Sequence, residues 1–361
     1  MAIISRISLA MLLVAHLPAL PSIASARPVA GVTGTDAQAG PRSEEVRISS
    51  DPGVVLAGQL RLPATPLEAR HPVVLLLGGG GPAPHGIYPL LEERLLANGI
   101  ATLSYDKRGV GKSTGAFIDT IALMQRDAAA AIAYLRARDD IDSRRIVVLG
   151  LSQGGTIGQA LVGNDPALHA LVMLAAPAGK RSVMILDTMR AKLTSSGMRN
   201  DAIDPIVAAT RGYLDAMSAT ASDTAIAAAR GALSDAFVAA GGSRAQAEGA
   251  IATLGDPALV SMYQVAADEM LARVKAPVLA LYAADDTVVL TRLAMPDARL
   301  ALRHNPDATV IEVPDVNHGS QPLATGTTGK RDYQGWPVSD PETLDLVDRW
   351  LARRLAAPAR E

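Results

Sequence analysis

The sequence predicts an α/β protein with a mostly parallel, eight-stranded sheet, helices on both of its faces and a helical insertion. Short runs of β-branched and other apolar residues alternate with segments of helical periodicity over residues 45–178 and again over residues 271–361. That alternation is typical of a parallel sheet whose crossover helices cover both faces. Residues 179–270 interrupt it, since they are rich in alanine and other helix formers and carry no strand signal. We therefore predict one α/β core in two parts, separated by a helical cap.

The first part of the core opens with a hairpin, because Asp51-Pro52-Gly53 is a turn sequence between two strand-like runs. Helices are expected where apolar residues recur at helical spacing, and Asn98-Gly99 is a stop signal for the first of them. The predicted strands are 45–50, 54–62, 73–77, 100–105, 145–150 and 170–175, and the main predicted helices are 87–98 and 119–138.

The second part of the core repeats the alternation with two strands, at 277–283 and 308–313. A helix at 291–304 joins them, and an amphipathic helix at 341–356 follows. Within the cap, glycine and proline mark expected breaks between helices. These breaks are Gly197, Gly212, Gly241-Gly242 and Asp256-Pro257.

Residues 1–26 have the pattern of a secretory signal peptide. Arg6 supplies a positive start, residues 7–20 an apolar stretch, and Ala24-Ser25-Ala26 a cleavage site. The apolar stretch is short for a membrane span, although an uncleaved anchor is the alternative. We expect cleavage after Ala26, a periplasmic or secreted protein, and no stable membrane insertion. Residues 27–44 are polar and rich in small residues, which predicts a flexible segment.

Composition narrows the function classes. The 361-residue chain has a formal net charge of −2 and no basic patch that would suggest a nucleic-acid partner. It has no cysteine, which excludes disulfides and a thiolate nucleophile. No cluster has metal-ligand spacing, so we expect neither a metal nor a cofactor. Gly109-Val110-Gly111-Lys112-Ser113 ends like a phosphate-binding loop, but that motif requires glycine where Asp106 stands.

The most informative motif is Gly150-Leu151-Ser152-Gln153-Gly154, a G-x-S-x-G sequence. An apolar strand precedes it and a helix of small residues follows, which is the context of a nucleophile elbow. A serine on such a strand-to-helix turn has its hydroxyl exposed for attack, and flanking glycines remove Cβ atoms that would clash. The alternative is an ordinary surface serine in a glycine-rich turn. The context favours Ser152 as a nucleophile.

Four motifs together resemble the α/β-hydrolase superfamily, in particular bacterial serine esterases with a G-x-G-P oxyanion loop and a helical cap. The resemblance covers about residues 45–178 and 271–356, and the cap is similar in position only. The motifs are Gly79-Gly80-Gly81-Pro82, Tyr105-Asp106-Lys107-Arg108-Gly109-Val110-Gly111-Lys112-Ser113, Gly150-Leu151-Ser152-Gln153-Gly154-Gly155, and the late strands ending in Asp286 and Asn317-His318.

The resemblance implies that the acid and then the histidine follow the serine along the chain. His71 and His85 precede Ser152, and His169 comes before any candidate acid. His304 ends a helix, where a cation has a sufficient structural role. His318 follows a strand, at the sheet edge where parallel sheets bind their ligands, so we predict it as the general base.

The acid is expected at the end of the strand 277–283, where Asp285 and Asp286 compete. The spacing of the family's acid-bearing segment favours Asp286, and the other carboxylate would then cap the turn. The resemblance also implies two oxyanion donors, the backbone N–H of Gln153 and one from the glycine run. We choose Gly80 for the second donor, with Gly79 as the alternative.

These residues predict an exported serine hydrolase that cleaves carboxylic esters of small to medium acyl chains through an acyl-enzyme on Ser152. The expected partner is a small-molecule ester. A thioesterase, peptidase or lactone hydrolase would use the same triad and is an open alternative. A catalytically inactive small-molecule binding protein is the non-enzyme alternative. Where the family often has an apolar or aromatic pair after the histidine, this chain has Gly319-Ser320.

Overall fold

The computed structural model describes residues 40–64, 70–219, 221–323 and 335–355. The predicted signal peptide lies outside the described residues, as does most of the predicted flexible segment 27–44. The end of that predicted segment, residues 42–44, belongs to the first strand, which begins at Arg42 rather than at residue 45. Arg42 stands opposite Leu62 in the hairpin, and its guanidinium donates to Asp140 at 3.3 Å.

The sheet has eight strands in the order β1-β2-β4-β3-β5-β6-β7-β8. β1 pairs antiparallel with β2, and β2 antiparallel with β4, whereas every pair from β4 across to β8 is parallel. The predicted mostly parallel, eight-stranded sheet is therefore confirmed. The strands are β1 (Arg42–Ser49), β2 (Val55–Leu62), β3 (His71–Leu77), β4 (Ala101–Tyr105), β5 (Ile141–Leu151), β6 (Ala170–Leu174), β7 (Val278–Ala283) and β8 (Ala308–Val313).

Helices cover both faces of this sheet and form the insertion. Within the described ranges, none of them is both long and apolar enough to cross a lipid bilayer. They are α1 (Pro89–Ala97), α2 (Ile121–Arg136), α3 (Gln153–Asn164), α4 (Val183–Ser195), α5 (Asn200–Ser218), α6 (Asp223–Ala239), α7 (Arg244–Leu254), α8 (Pro257–Tyr263), α9 (Ala267–Arg273), α10 (Thr291–Ala301) and α11 (Pro341–Leu355).

Two apolar clusters lie on opposite faces of the sheet because side chains alternate along each strand. In β3, Val73 and Leu75 belong to the cluster that includes α2, α3 and α10, whereas Val74 and Leu76 belong to the cluster that includes α1 and α11. All four of these side chains are buried. Both faces of the central strands are thus covered, which is why β3 reads as a continuous apolar run.

The insertion has an apolar cluster of its own, formed by α4 to α8. Helix α9 is not part of this cluster, because its residue Leu271 belongs to the sheet cluster that includes α2, α3 and α10. Most of the expected breaks fall between helices, but Gly212 lies inside α5. Its neighbours Tyr213 and Leu214 are buried in the cap cluster, and their packing outweighs the weak helix propensity of glycine.

Candidate active site

Ser152 is the single residue between β5, which ends at Leu151, and α3, which begins at Gln153. Its backbone has φ 53° and ψ −118°, a conformation that favours glycine and strains other residues. The Ser152 N–H donates to the carbonyl of Leu174 in β6 at 2.8 Å, which fixes the turn to the sheet. Ser152 therefore occupies a strained strand-to-helix turn.

Glycines allow this turn to lie close to its neighbours. A Cβ atom added at Gly154 would lie 2.5 Å from the carbonyl oxygen of Leu77 at the end of β3. Cβ atoms added at Gly150 and Gly155 would overlap the backbone of Gly154 and the side chain of Ala176, respectively. The tight packing of α3 against the sheet thus requires glycine at all three positions.

We expect Gly154→Ala to destabilise the protein by about 1–3 kcal/mol, the usual cost of forcing an extra carbon into a packed site. Gly249→Ala is a matched control, because Gly249 lies in helix α7 with open space around its Cα. The control should be neutral or stabilising by up to about 1 kcal/mol, from improved helix propensity alone. Urea denaturation of the three proteins measures both effects, and equal midpoints for the two variants would contradict this packing argument.

His318 and Asp286 form a direct pair. His318 Nδ1 lies 2.7 Å from Asp286 Oδ2, and the Asp286 side chain is fully buried. Oδ1 of the same carboxylate accepts hydrogen bonds from the N–H groups of Val288, at 2.7 Å, and Val289, at 2.8 Å. An Nδ1–H that donates to the carboxylate leaves Nε2 of His318 free to accept a proton.

Asp286 both contacts His318 and caps its own turn, whereas the sequence predicts a separate acid for each role. Asp285 sits beside it with a half-buried side chain, and its N–H donates to the carbonyl of Val316 at 3.0 Å. One carboxylate can do both jobs because it has two oxygens, and each oxygen faces a different neighbour.

The loop that carries His318 is fixed on both sides. Asn317 Oδ1 accepts the N–H groups of Gly319, at 3.0 Å, and Gln321, at 3.1 Å. Val338 N–H donates to the carbonyl of Gly319 at 2.7 Å. These bonds hold the histidine at the carboxyl end of β8.

Ser152, Asp286 and His318 follow the ends of β5, β7 and β8, three strands of the parallel part of the sheet. Because parallel strands end at one edge, the three residues lie at the same edge. Among the described residues, no hydrogen bond joins the Ser152 hydroxyl to the His318 ring. Catalytic hydrogen bonds are often long before substrate binds, so this geometry is compatible with a triad.

The glycine loop after β3 runs beside the serine. A Cβ atom placed at Gly79 would lie 3.6 Å from Cβ of Ser152. Gln153 is the first residue of α3, where backbone N–H groups lack a partner within the helix. The N–H of Gln153 and the backbone of Gly79 therefore lie beside the serine.

Three other histidines, His85, His169 and His304, have surroundings that account for them without a catalytic role. His85 Nδ1 lies 2.7 Å from Asp106 Oδ1, and this hydrogen bond raises the pKa of His85 above its ordinary value. Asp106 also accepts the N–H of Lys112 at 2.8 Å, so it organises the loop that resembled a phosphate-binding motif. His169 Nε2 lies 3.2 Å from the carbonyl of Arg354, and His304 is exposed.

Sequence reasoning missed a buried polar group behind the glycine loop. Lys107 donates to the carbonyl of Gly79, to Asp119 and to the side chain of Gln153. Burial lowers the pKa of Lys107, although the attraction of Asp119 opposes that shift. No periodicity marks such a lysine as buried, because its partners come from three separate segments.

The cap supplies another lysine that sequence reasoning missed. Lys192 in α4 is half-buried, and burial lowers its pKa while the negative charge of Asp286 opposes the shift. In the parts of the chain that the structure describes, no cluster of histidine and acidic residues could hold a metal ion.

Comparisons with known proteins agree with this architecture. A family model described as serine aminopeptidase, S33, matches residues 68–229. The quorum-quenching protein AidA of Acinetobacter baumannii is 34% identical over 108 residues, which cover 29% of this chain and 35% of that protein. The α/β-hydrolase domain-containing protein WAV2 of Arabidopsis thaliana is 32% identical over 162 residues, 44% of this chain and 49% of that protein. The chain thus aligns with about half, or less, of these two relatives.

Solved structures share the fold at low sequence identity. An esterase of Pyrococcus furiosus matches with a TM-score of 0.53 and 18% identity, over 92% of this chain and 97% of that one. A thermophilic esterase of Thermogutta terrifontis matches with a TM-score of 0.51 and 18% identity, over 87% of this chain and all of that one. With its strand order, its serine elbow and these matches, the chain has the α/β-hydrolase fold.

Proposed function

We propose that the protein is a serine hydrolase that cleaves carboxylic esters through an acyl-enzyme on Ser152. The observation that carries the proposal is a strained serine turn at the same edge of the sheet as His318, which is held by the buried Asp286. A serine hydroxyl is a weak nucleophile until a base removes its proton, and a carboxylate-oriented imidazole is the usual base.

In the proposed reaction, Ser152 Oγ attacks the acyl carbon while its proton moves to His318 Nε2. The carbonyl oxygen becomes an oxyanion that accepts the N–H groups of Gln153 and Gly80. His318 returns the proton to the leaving alcohol as the ester C–O bond breaks. Water then attacks the acyl-enzyme with His318 as base, releasing the acid and restoring Ser152. Asp286 holds the imidazole in the required tautomer throughout.

As part of the proposal we expect small to medium acyl chains, because the cap is rich in aliphatic side chains. The cap cluster consists of aliphatic and a few aromatic side chains, and Leu186, Met189 and Leu193 of α4 are buried in it. Apolar side chains favour acyl groups over charged ones by the ordinary hydrophobic effect. The proposed partner is thus a small-molecule ester, not a nucleic acid.

A peptidase is the second candidate, because the family model that matches residues 68–229 is described as a serine aminopeptidase. A thioesterase or lactone hydrolase would use the same residues. All of these reactions pass through an oxyanion at the same place, so only the leaving group distinguishes them.

A fluorophosphonate probe and a substrate panel test the proposal together. We expect the probe to label the native protein at Ser152, as mapped by mass spectrometry. Short p-nitrophenyl esters should be cleaved with higher kcat/KM than a matched thioester or an aminoacyl p-nitroanilide. Faster cleavage of the anilide would favour the peptidase, and absence of both labelling and hydrolysis would favour a binding protein.

We also propose that the protein is exported, on the strength of the leader pattern ending at Ala24-Ser25-Ala26. Expression of the full chain in a bacterial host, followed by N-terminal sequencing of the periplasmic fraction, checks this. The expected N-terminus is Arg27. Recovery of the uncleaved chain in the membrane fraction would instead support an anchor.

A further inference from the structure

Lys107 is the most deeply buried lysine of the described residues, with 5% of its surface exposed. Its ammonium donates to the Gly79 carbonyl at 2.7 Å, to Asp119 Oδ1 at 2.9 Å and to Gln153 Oε1 at 2.9 Å. An ammonium has three protons, so all of its donors are used. The reaction proposed above leaves this centre without a role.

The bond to Gly79 fixes the peptide group that carries one of the proposed oxyanion donors. The Gly79 carbonyl and the Gly80 N–H belong to the same peptide unit. The described chain has no cis peptide bonds, and in a trans peptide these two groups point in opposite directions. Holding the carbonyl on a buried ammonium therefore turns the Gly80 N–H away from Lys107.

Asp119 fixes the next peptide of the same loop. Its Oδ2 accepts the Gly81 N–H at 2.6 Å while its Oδ1 accepts Lys107. The backbone carbonyl of Asp119 accepts Gln153 Nε2 at 3.2 Å. The glycine loop and the first residue of α3 are thus bound to one buried centre, and each contributes one proposed oxyanion donor.

We propose that Lys107, with Asp119, is a positioning residue for the oxyanion hole. This inference rests on the proposed function. A hydrogen bond to the Gly79 carbonyl polarises the peptide, which strengthens its N–H as a donor in a low-dielectric interior. Donors held in place before charge develops need no reorganisation in the transition state, so the centre acts on kcat more than on substrate binding. Lys107 itself touches no substrate.

The test is a double variant, Lys107→Met with Asp119→Asn, which removes both buried charges together so that neither is left unpaired. Arg108→Met with Asp127→Asn is a matched control. Arg108 is the next residue, is equally buried, and pairs with Asp127 of α2 at 2.6 Å and with Asp51 at 2.9 Å, neither of which binds the glycine loop. Active sites are counted with the fluorophosphonate probe, so that kcat refers to folded enzyme only.

We expect kcat per labelled site to fall roughly 10- to 100-fold in the Lys107 double variant, somewhat less than for outright loss of a donor. KM should stay within about threefold, since the substrate contacts are unchanged. The inhibition constant of a trifluoromethyl ketone, which forms an oxyanion on the serine, should rise by a factor similar to the loss in kcat. The control should keep both constants within about threefold of wild type, because it leaves the oxyanion donors in place.

A Lys107 double variant that matches the control in kcat and in ketone affinity overturns the inference. Should that variant be insoluble, Lys107→Gln replaces it, since its amide can still donate to Gly79 without the charge. Its kcat should fall roughly 3- to 10-fold, and a wild-type kcat overturns the inference equally. If the wild-type protein is neither labelled nor active, the proposed function has failed instead.

Discussion

Replacing Ser152 by alanine is expected to reduce ester hydrolysis by about 10³- to 10⁶-fold, because no other group takes over covalent attack. The residual rate would come from the oxyanion donors and from substrate binding alone. The measurement is initial-rate hydrolysis of a short p-nitrophenyl ester by purified protein. Labelling by the fluorophosphonate should disappear in the same variant.

Replacing Ser152 by glycine separates strain from chemistry. Ser152 has φ 53°, a conformation that costs a non-glycine residue about 1–3 kcal/mol. Glycine relieves that strain, but its greater freedom in the unfolded chain costs about 0.5–1 kcal/mol. We therefore expect Ser152→Gly to be inactive yet more stable than wild type by about 1 kcal/mol, the difference between these two effects.

Ser152→Ala is the control for this comparison, since alanine keeps the Cβ atom and therefore the strain. Its urea midpoint should equal that of wild type while its activity is lost. A glycine variant that is less stable than the alanine variant would show that the turn is not strained. An alanine variant that retains hydrolysis would remove Ser152 from the mechanism.

The fold could be predicted in detail wherever one apolar run corresponds to one strand. β8 has the predicted bounds, 308–313, because turn residues flank a short run rich in β-branched residues. The sequence predicts that β5 begins at residue 145, because Asp142-Ser143-Arg144 has the composition of a loop. The strand instead begins at Ile141. Pairing of Ile141 with His71, beyond an irregularity in the register, extends the strand. Tertiary pairing decides such ends, and local sequence does not contain it.

Some residues of the candidate site could be predicted from the sequence and others could not, because local motifs are visible in a sequence and tertiary contacts are not. The serine turn and the order of acid and histidine are local or sequential patterns, so motif reasoning reaches Ser152, Asp286 and His318. Lys107 stands in an equally distinctive motif, but its partners are brought together only by folding. A charged residue in a loop is usually solvated, and sequence alone does not identify the exception.

Replacing Asp286 by asparagine is expected to lower kcat/KM by about 10³- to 10⁴-fold, because the amide stabilises the wrong imidazole tautomer. The amide Nδ2 would donate to His318 Nδ1, so Nε2 would carry the proton and could not accept one from Ser152. The amide oxygen can still accept the N–H groups of Val288 and Val289, which Asp286 Oδ1 accepts in the native protein. The fold should therefore survive this variant with little change in urea midpoint.

Asp286→Ala removes both functions of the carboxylate, and its comparison with asparagine divides them. The alanine variant should lose activity to a similar extent, and it should also be less stable by about 1–3 kcal/mol for each buried N–H left without a partner. Asp285→Asn is the matched control, one residue away, and should keep kcat/KM within about threefold, since it leaves the contact between Asp286 and His318 in place. If Asp285→Asn proves the more damaging asparagine variant, the orienting acid is Asp285, and the contact between Asp286 and His318 is structural. If neither asparagine variant loses activity, His318 works without a carboxylate partner, and Asp286 serves only to cap the turn after β7.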